Sequence, residues 1–329
     1  MSILHITNGD IAAAMLRKLD PTSEVLPWRD ALHEGPVPGG VDLATLSDIR
    51  ALFVSAAGWA PYSDAQPMFQ ARDTLLREHR RFDEIALWFE WDLYDQLQLL
   101  QVLDFLVLDG RPLSEISLLN FGGYFGDLAL GDFAKLADDA VTLDEPMAAL
   151  AVRAWQAVRA ADPGPLVGLL QELSEQEAAL PFLPAALYRL IEELPSQQNG
   201  LSRSEQQILD ALSNAPMAMS ALFIASHSSR EDRIFLADAV FATQVERLAA
   251  DPAPLVQITR PFFSPWGSVP DGLWDSIVEV TSLGRKVLFC EVDWLTLGAA
   301  ERWVGGMMVD PRRPSPRWDR SERRVVFPE

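Results

Sequence analysis

Short apolar runs alternate with helical hydrophobic spacing over the first 121 residues. Runs typical of buried strands cover residues 3–7, 23–28, 84–90 and 114–121, and helical spacing covers residues 42–59, 64–81 and 93–108. Alternating strands and helices predict a Rossmann-like α/β domain with an open parallel sheet of about four strands. Right-handed crossovers then most simply give the strand order 2-1-3-4.

The rest of the chain predicts two further parts. Residues 144–193 are rich in Ala, Leu and Glu and are interrupted by prolines, which predicts a helical connecting segment. Ser202 and Glu205 form a capping box ahead of an apolar run. Helices at about 219–225 and 231–249 and strands at 254–259 and 276–281, the strands joined by a Pro- and Trp-rich loop, complete a winged-helix-like α+β domain. The predicted domains are residues 1–140, 141–199 and 200–329.

The predicted strand order places a ligand site. Ligands of open α/β sheets bind outside the carboxyl ends of the strands, where the winding direction reverses. In this order the reversal lies between the first and third strands. The polar residues that follow the first three strands are the ligand-binding candidates: Asn8, Asp10, Arg29, Asp30, His33, Glu34, Glu90, Asp92, Asp95 and Gln96.

Capping competes with binding as the explanation for these acids. Asp10 and Asp92 each stand where a helix begins, and an acid there is usually an N-cap. Capping explains single acids better than it explains five acids at one edge of a sheet. A functional crevice is therefore the favoured interpretation.

The sequence does not decide which chemistry the crevice performs. Clustered carboxylates suit Mg²⁺ or Mn²⁺, but the spacing of Glu90 and Asp92 alone is a weak signal. His33 suits a general base or a metal ligand, although a lone loop histidine is more often neither. Arg29 suits a phosphate clamp, and a structural salt bridge to Asp30 or Glu90 is favoured. Gly-rich phosphate loops and nucleophile elbows are missing from the sequence, so we assign no catalytic residue, cofactor or metal.

Composition narrows the classes of partner. The net charge of −20 argues against wide binding to nucleic acid, which needs clustered Lys and Arg. The stretch 311–324 is locally basic, and a solvated tail or hairpin is the favoured interpretation. Its six arginines are Arg312, Arg313, Arg317, Arg320, Arg323 and Arg324. A single cysteine, Cys290, fits a reducing cytoplasm, and no apolar stretch approaches the roughly 20 residues of a membrane span.

The strings LHITNGD, LPWRDALHEGPVP and LWFEWDLYDQLQLLQVLDFL resemble the bacterial family known as domain of unknown function 1835. The resemblance extends nearly to the end of the chain, and it implies no established activity. The family often carries a small hydroxyl residue after the Gly-Asp pair and a His between the Glu and Asp of the third-strand motif. This chain has Ile11 and Trp91 there, which weakens a metal-catalysis interpretation.

Three functions are compatible with these patterns. The first is binding of a small polar or phosphorylated ligand, with the other parts transmitting the signal or forming a homo-oligomer. The second is a metal-dependent phosphoester hydrolase or transferase that uses Asp10, Asp30, Glu90 and Asp92. The third is a winged-helix DNA-binding regulator, and it is disfavoured because the predicted helix 231–249 carries four acids beside Arg233 and Arg247.

Overall fold

The computed structural model describes residues 2–175, 177–259 and 272–328 of the chain. The first part contains β1 (Ile3–Thr7), α1 (Asp10–Leu19), β2 (Glu24–Pro27), α2 (Leu43–Ala56), α3 (Tyr62–Arg77), β3 (Glu84–Glu90), α4 (Leu93–Leu108), β4 (Ile116–Phe121), α5 (Leu130–Lys135) and β5 (Val141–Thr142). Three helices follow: α6 (Glu145–Val158), α7 (Gly164–Ser174) and α8 (Leu183–Ile191). The last part contains α9 (Arg203–Ala211), β6 (Met217–Ala218), α10 (Met219–Phe223), α11 (Asp238–Leu248), β7 (Val256–Ile258), β8 (Ile277–Val280), α12 (Ser282–Leu288), β9 (Arg302–Val304), β10 (Met307–Val309), β11 (Arg317–Asp319) and β12 (Arg324–Val326).

The main sheet has the strand order β2-β1-β3-β4-β5. Its first four strands are parallel, so the predicted order 2-1-3-4 in an open α/β sheet is confirmed. The fifth strand, β5, runs antiparallel to β4 and was not predicted. It has two residues, both exposed, and so short a strand carries no hydrophobic periodicity.

Both faces of the central strand β3 are buried, which explains its unbroken apolar sequence. Ile85, Leu87 and Phe89 belong to the main core, whereas Ala86 and Trp88 pack in a second core cluster on the opposite face, which also includes residues of α1 and α5. All five residues of β1 pair directly with residues of β3. The carboxyl ends of the two strands therefore lie side by side.

Helix α4 lies inside the molecule and contacts α6 and α8. It is buried on nearly every side, which matches its apolar sequence. Its buried glutamines are hydrogen-bonded: Gln98 donates to the carbonyl of Asp30, and Gln101 accepts from the indole of Trp28. Neither α4 nor any other helix among the described residues is long and apolar enough to cross a membrane.

The last part of the chain combines helices with small antiparallel sheets. The predicted capping box at the start of α9 is confirmed. β6, β8 and β7 form a three-stranded sheet, and β9–β10 and β11–β12 form two hairpins. The basic stretch 311–324 thus runs through the β11–β12 hairpin. Most of the predicted Pro- and Trp-rich loop between β7 and β8 lies outside the described residues.

The predicted helix over residues 231–249 is wrong in its first two turns, because α11 begins at Asp238. The backbone amides of Phe235 and Leu236 donate to the ring of His227, and the amide of Ile234 donates to the hydroxyl of Tyr124 (2.5 Å). Side-chain acceptors thus replace the helical carbonyls over this segment. One continuous core cluster reaches from Leu4 to Trp318, and the division into three domains stays a prediction.

Candidate functional site

Three carboxylates meet at the carboxyl end of β3. Glu90 is the last residue of that strand, Asp92 is the N-cap of α4, and Asp95 lies in the first turn of α4. One oxygen from each lies within 4.8 Å of the others, and all three side chains are buried. We call Glu90, Asp92 and Asp95 the carboxylate cluster.

Backbone and amide donors hold the carboxylate cluster in place. Asn8, at the end of β1, donates to Asp95 (3.0 Å), and the backbone amide of Glu90 also donates to Asp95 (2.6 Å). The amide of Phe125 donates to Glu90. Gln96 donates to the carbonyl of Glu90 (2.7 Å). The structure thus brings five of the ten candidates together: Asn8, Glu90, Asp92, Asp95 and Gln96.

Burial raises the pKa of every member of the carboxylate cluster. The pKa of Glu90 rises to about 7, mainly by burial, and the charges of Asp92 and Asp127 add to the shift. The pKa of Asp92 also rises to about 7 by burial, although Arg233 opposes the shift. Burial and its two neighbours hold the pKa of Asp95 well above its usual range. The carboxylate cluster therefore retains protons near neutral pH.

Arg29 and Asp10 form a separate pair on the surface. The Arg29 Nε atom lies 3.1 Å from each carboxylate oxygen of Asp10, and both side chains are exposed. The predicted salt bridge of Arg29 to Asp30 or Glu90 is therefore wrong. The backbone of Arg29 is in the left-handed region (φ 54°), and its amide donates to the carbonyl of Asn8, so its side chain lies against the start of α1.

The remaining three candidates are buried in packing contacts. Asp30 pairs with Arg50 at 2.8 Å and lies 3.6 Å from Arg72. His33 packs edge-on against Tyr94 and Phe235, and burial lowers its pKa to about 4. Glu34 accepts hydrogen bonds from Gln244 and Arg247 of α11. Sequence reasoning had no means to identify these partners, because many residues separate them from Asp30 and Glu34.

A cavity of about 540 Å³ lies beside the carboxylate cluster, and we call it the main cavity. Trp91, which stands between Glu90 and Asp92, forms part of its wall. The wall combines the β3–α4 junction with α8, the start of α9, the segment before α11 and the β11–β12 turn. Its charged and aromatic residues include Trp91, Tyr188, Arg189, Arg203, Arg233 and Arg323, together with the acids Glu192, Glu231 and Asp232.

The four arginines of the main cavity differ in their partners. Arg189 pairs with Glu231 at 2.9 Å, and Arg203 pairs with Glu192 at 2.6 Å. Arg233 instead donates to the carbonyl of Trp91 (2.9 Å), and its guanidinium lies 4.7 Å from the Trp91 ring centre. The guanidinium of Arg323 lies 4.7 Å from the ring centre of Tyr188. Within the described residues, neither Arg233 nor Arg323 forms an ion pair.

Sequence reasoning missed this cavity as a site. The only signals were Arg233, which was weighed as a DNA contact, and the basic stretch 311–324, which was interpreted as a solvated tail or hairpin. Both lie far along the chain from β3, so nothing in the sequence connects them with Trp91.

A scan against models of known protein families found no match, and a search of curated proteins also found none. Membership of the family known as domain of unknown function 1835 therefore stays a prediction. Function has to be inferred from the residues of the site itself.

Proposed function

We propose that this is a ligand-binding protein and that a small polar ligand occupies the main cavity. The observation that carries the proposal is the cavity itself, whose volume of about 540 Å³ falls in the usual range for small-molecule sites. Its lining joins aromatic faces to several charged groups, and such polar groups fix the orientation of a ligand.

The position of the main cavity supports the proposal. Trp91 and Leu93 lie at the carboxyl end of β3, next to the switch point between β1 and β3. Ligands of open α/β sheets bind in that region. Because Arg233 and Arg323 come from the last part of the chain, a bound ligand would also join that part to the sheet.

A cavity-filling variant tests the proposal. Ala185 lines the main cavity and is exposed on α8, so Ala185→Trp fills the cavity without disturbing the core. We expect polar compounds from a metabolite collection to raise the melting temperature of the wild type and to leave that of Ala185→Trp unchanged. Ala14→Trp, on the exposed face of α1, is the matched control and keeps the response. The proposal fails if no compound stabilises the wild type, or if Ala185→Trp responds equally.

A metal-dependent phosphoester hydrolase is the second candidate, and the short distances within the carboxylate cluster favour it. Against it, Glu90 and Asp95 already accept hydrogen bonds, and the raised pKa values leave the cluster partly protonated at neutral pH. Trp91 also replaces the histidine of the resembled family.

Titration calorimetry with Mg²⁺, Mn²⁺ and Zn²⁺ at pH 7 distinguishes the two candidates. We expect no micromolar binding, because a cation would have to displace protons from the buried cluster. Micromolar binding that disappears in Asp92→Asn would make the hydrolase the leading candidate. Asn still caps α4, so loss of binding in that variant would report on the missing charge.

We also propose that α9, α10 and α11 with the sheet β6-β8-β7 form a winged helix that serves internal packing. In DNA-binding domains of this kind the third helix enters the major groove. Here Gln244 and Arg247 of α11 bind Glu34, and Thr243 accepts a hydrogen bond from the indole of Trp59 (2.9 Å). That face of α11 is therefore occupied by the first part of the chain.

A further inference from the structure

A second hollow extends the main cavity along the surface. It has a volume of about 350 Å³ and shares Glu192, Arg203 and Arg323 with the main cavity. Trp318 and Arg320 of the β11–β12 hairpin lie at its far end. We call the two hollows together the arginine groove.

Three arginines of the groove lack a carboxylate partner among the described residues. Arg233 donates only to backbone carbonyls, and Arg320 donates to the carbonyl of Ser202 (3.2 Å). Arg323 contacts the Tyr188 ring. The chain has 47 acidic residues against 27 Lys and Arg, so carboxylates are abundant. Glu192 and Glu231 pair with Arg203 and Arg189, and within the described residues no carboxylate forms an ion pair with the other three guanidiniums. Asp92 and Asp210 act on Arg233 and Arg320 only from a longer distance.

Partial burial makes Arg233 and Arg320 effective anion sites, whereas Arg323 is exposed beside them. Burial lowers the pKa of Arg320 and of Arg233, which means that both guanidiniums have lost part of their hydration. An anion that binds there replaces the water contacts that the guanidinium has lost. The attraction between the two charges is stronger there than in water, because the dielectric constant is lower. The planar guanidinium also matches the oxygens of a phosphate in pairs.

The backbone of Arg323 gives a second, independent indication. Arg323 ends the turn between β11 and β12 in the left-handed region (φ 50°). Gly and Asn adopt that conformation with less strain than arginine. Strained positions of this kind concentrate at functional sites. A guanidinium is thus present in the groove at a position where the turn alone favours a smaller residue.

We infer that the arginine groove binds a small molecule with at least two phosphate groups, one held by Arg233 and the other by Arg320 and Arg323. The inference rests on the proposed ligand-binding function and names the class of ligand. Phosphate groups carry more charge and more acceptor oxygens than carboxylates, and so match three guanidiniums better. The apolar part of the ligand lies against the wall formed by Leu93, Pro184 and Ala185.

Calorimetry with simple anions tests the class of ligand. Inorganic pyrophosphate is the probe, with inorganic phosphate and succinate as comparisons, at pH 7 and physiological salt. We expect pyrophosphate to bind at least about tenfold more tightly than phosphate, because it reaches two of the three arginines. Succinate is expected to bind weakly or not at all.

Two variants test the arginines. Arg323→Gly removes the guanidinium and relieves the left-handed strain, so we expect unchanged or higher thermal stability and about tenfold weaker pyrophosphate binding. Arg233→Met is expected to weaken pyrophosphate binding to a similar extent. Arg324→Thr removes the same charge from the neighbouring strand position, outside the groove lining, and leaves the affinity unchanged.

The outcomes separate the inference from the proposed function. If Arg323→Gly and Arg233→Met bind pyrophosphate as tightly as the wild type, the inference is overturned. If pyrophosphate does not bind but uncharged or cationic compounds bind and are blocked by Ala185→Trp, the inference falls and the proposed function stands. If neither pyrophosphate nor any compound of the collection binds the wild type, both fall.

Discussion

At the residue scale, the partners of each acid decide its role. Asp10, Asp30, Glu34 and Glu90 look alike in the sequence, yet they lie in three different environments. Asp10 is exposed beside Arg29, whereas Asp30 and Glu34 form buried ion pairs. Glu90 is buried beside two other carboxylates with no cation in contact among the described residues. Glu90 and its neighbours therefore hold protons near neutral pH, whereas Arg247 keeps the pKa of Glu34 below its usual value.

The raised pKa values of Glu90 and Asp92 predict that this pair destabilises the fold at alkaline pH. Both groups titrate near pH 7 in the folded chain and at their usual, lower values when unfolded. Stability is therefore lost as pH rises from about 4 through 7, by up to about 3 kcal/mol for Glu90 and about 4 kcal/mol for Asp92, and by less than the sum for the pair. We expect the double variant Glu90→Gln, Asp92→Asn to be more stable than the wild type at pH 8 and equally stable near pH 4.

Urea unfolding at several pH values measures this difference. Burial lowers the pKa values of His33 and His227 in both proteins, and their effect cancels in the comparison. Asp48→Asn, at an exposed acid of α2 outside the carboxylate cluster, is the control and should lack the gain in stability that the double variant shows at pH 8. A wild type that is more stable than the double variant at pH 8 would contradict the prediction.

At the element scale, α11 illustrates how packing determines what a helix does. Its sequence, with two flanking arginines and four acids in the predicted range, left open whether it contacts DNA or protein. In the structure Arg247 binds Glu34 and lies 3.7 Å from Glu205 of α9. Burial opposes ionisation of Glu34, but Arg247 and its hydrogen bonds lower the pKa of Glu34 below the usual value. The helix is thus held to the first part of the chain by a buried ion pair.

The substitution Arg247→Met is expected to destabilise the protein by about 3 kcal/mol at pH 7, because it leaves the carboxylate of Glu34 buried without its cation. Adding Glu34→Gln should recover part of the loss, since Gln still accepts a hydrogen bond from Gln244. Chemical denaturation of the single and double variants measures both effects. Arg324→Met, at an exposed arginine, should cost little, and a double variant as unstable as the single one would argue against the ion pair.

At the scale of the whole molecule, acidity and internal packing act together. The net charge of −20 repels phosphate backbones in general, and one face of α11 contacts Glu34 and Trp59 of the first part of the chain. The unpaired arginines lie in one groove of limited size. The net charge and the occupied face of α11 both argue against binding of a nucleic acid duplex.

We therefore expect no mobility shift of random duplex DNA with the purified protein at about 0.15 M salt. The net negative charge of the protein repels the phosphates of DNA. A basic DNA-binding protein run beside it confirms that the assay works. Tight binding that weakens as salt rises would overturn the prediction and would favour the regulator.

The sequence by itself determined the central sheet and part of the site. The apolar runs of β1 and β3 and the leucines of α4 are local patterns, and the order 2-1-3-4 follows from the handedness of crossovers. That order correctly brings Asn8 next to Glu90, Asp92 and Asp95, because parallel strands end at the same edge. Only the tertiary structure decided that Arg233 contacts Trp91, that Arg323 lines the same cavity, and that Arg50 and Arg247 pair with Asp30 and Glu34. The residues of these contacts are separated by up to about two hundred positions in the sequence. They come together through tertiary packing, which local hydrophobic patterns do not predict.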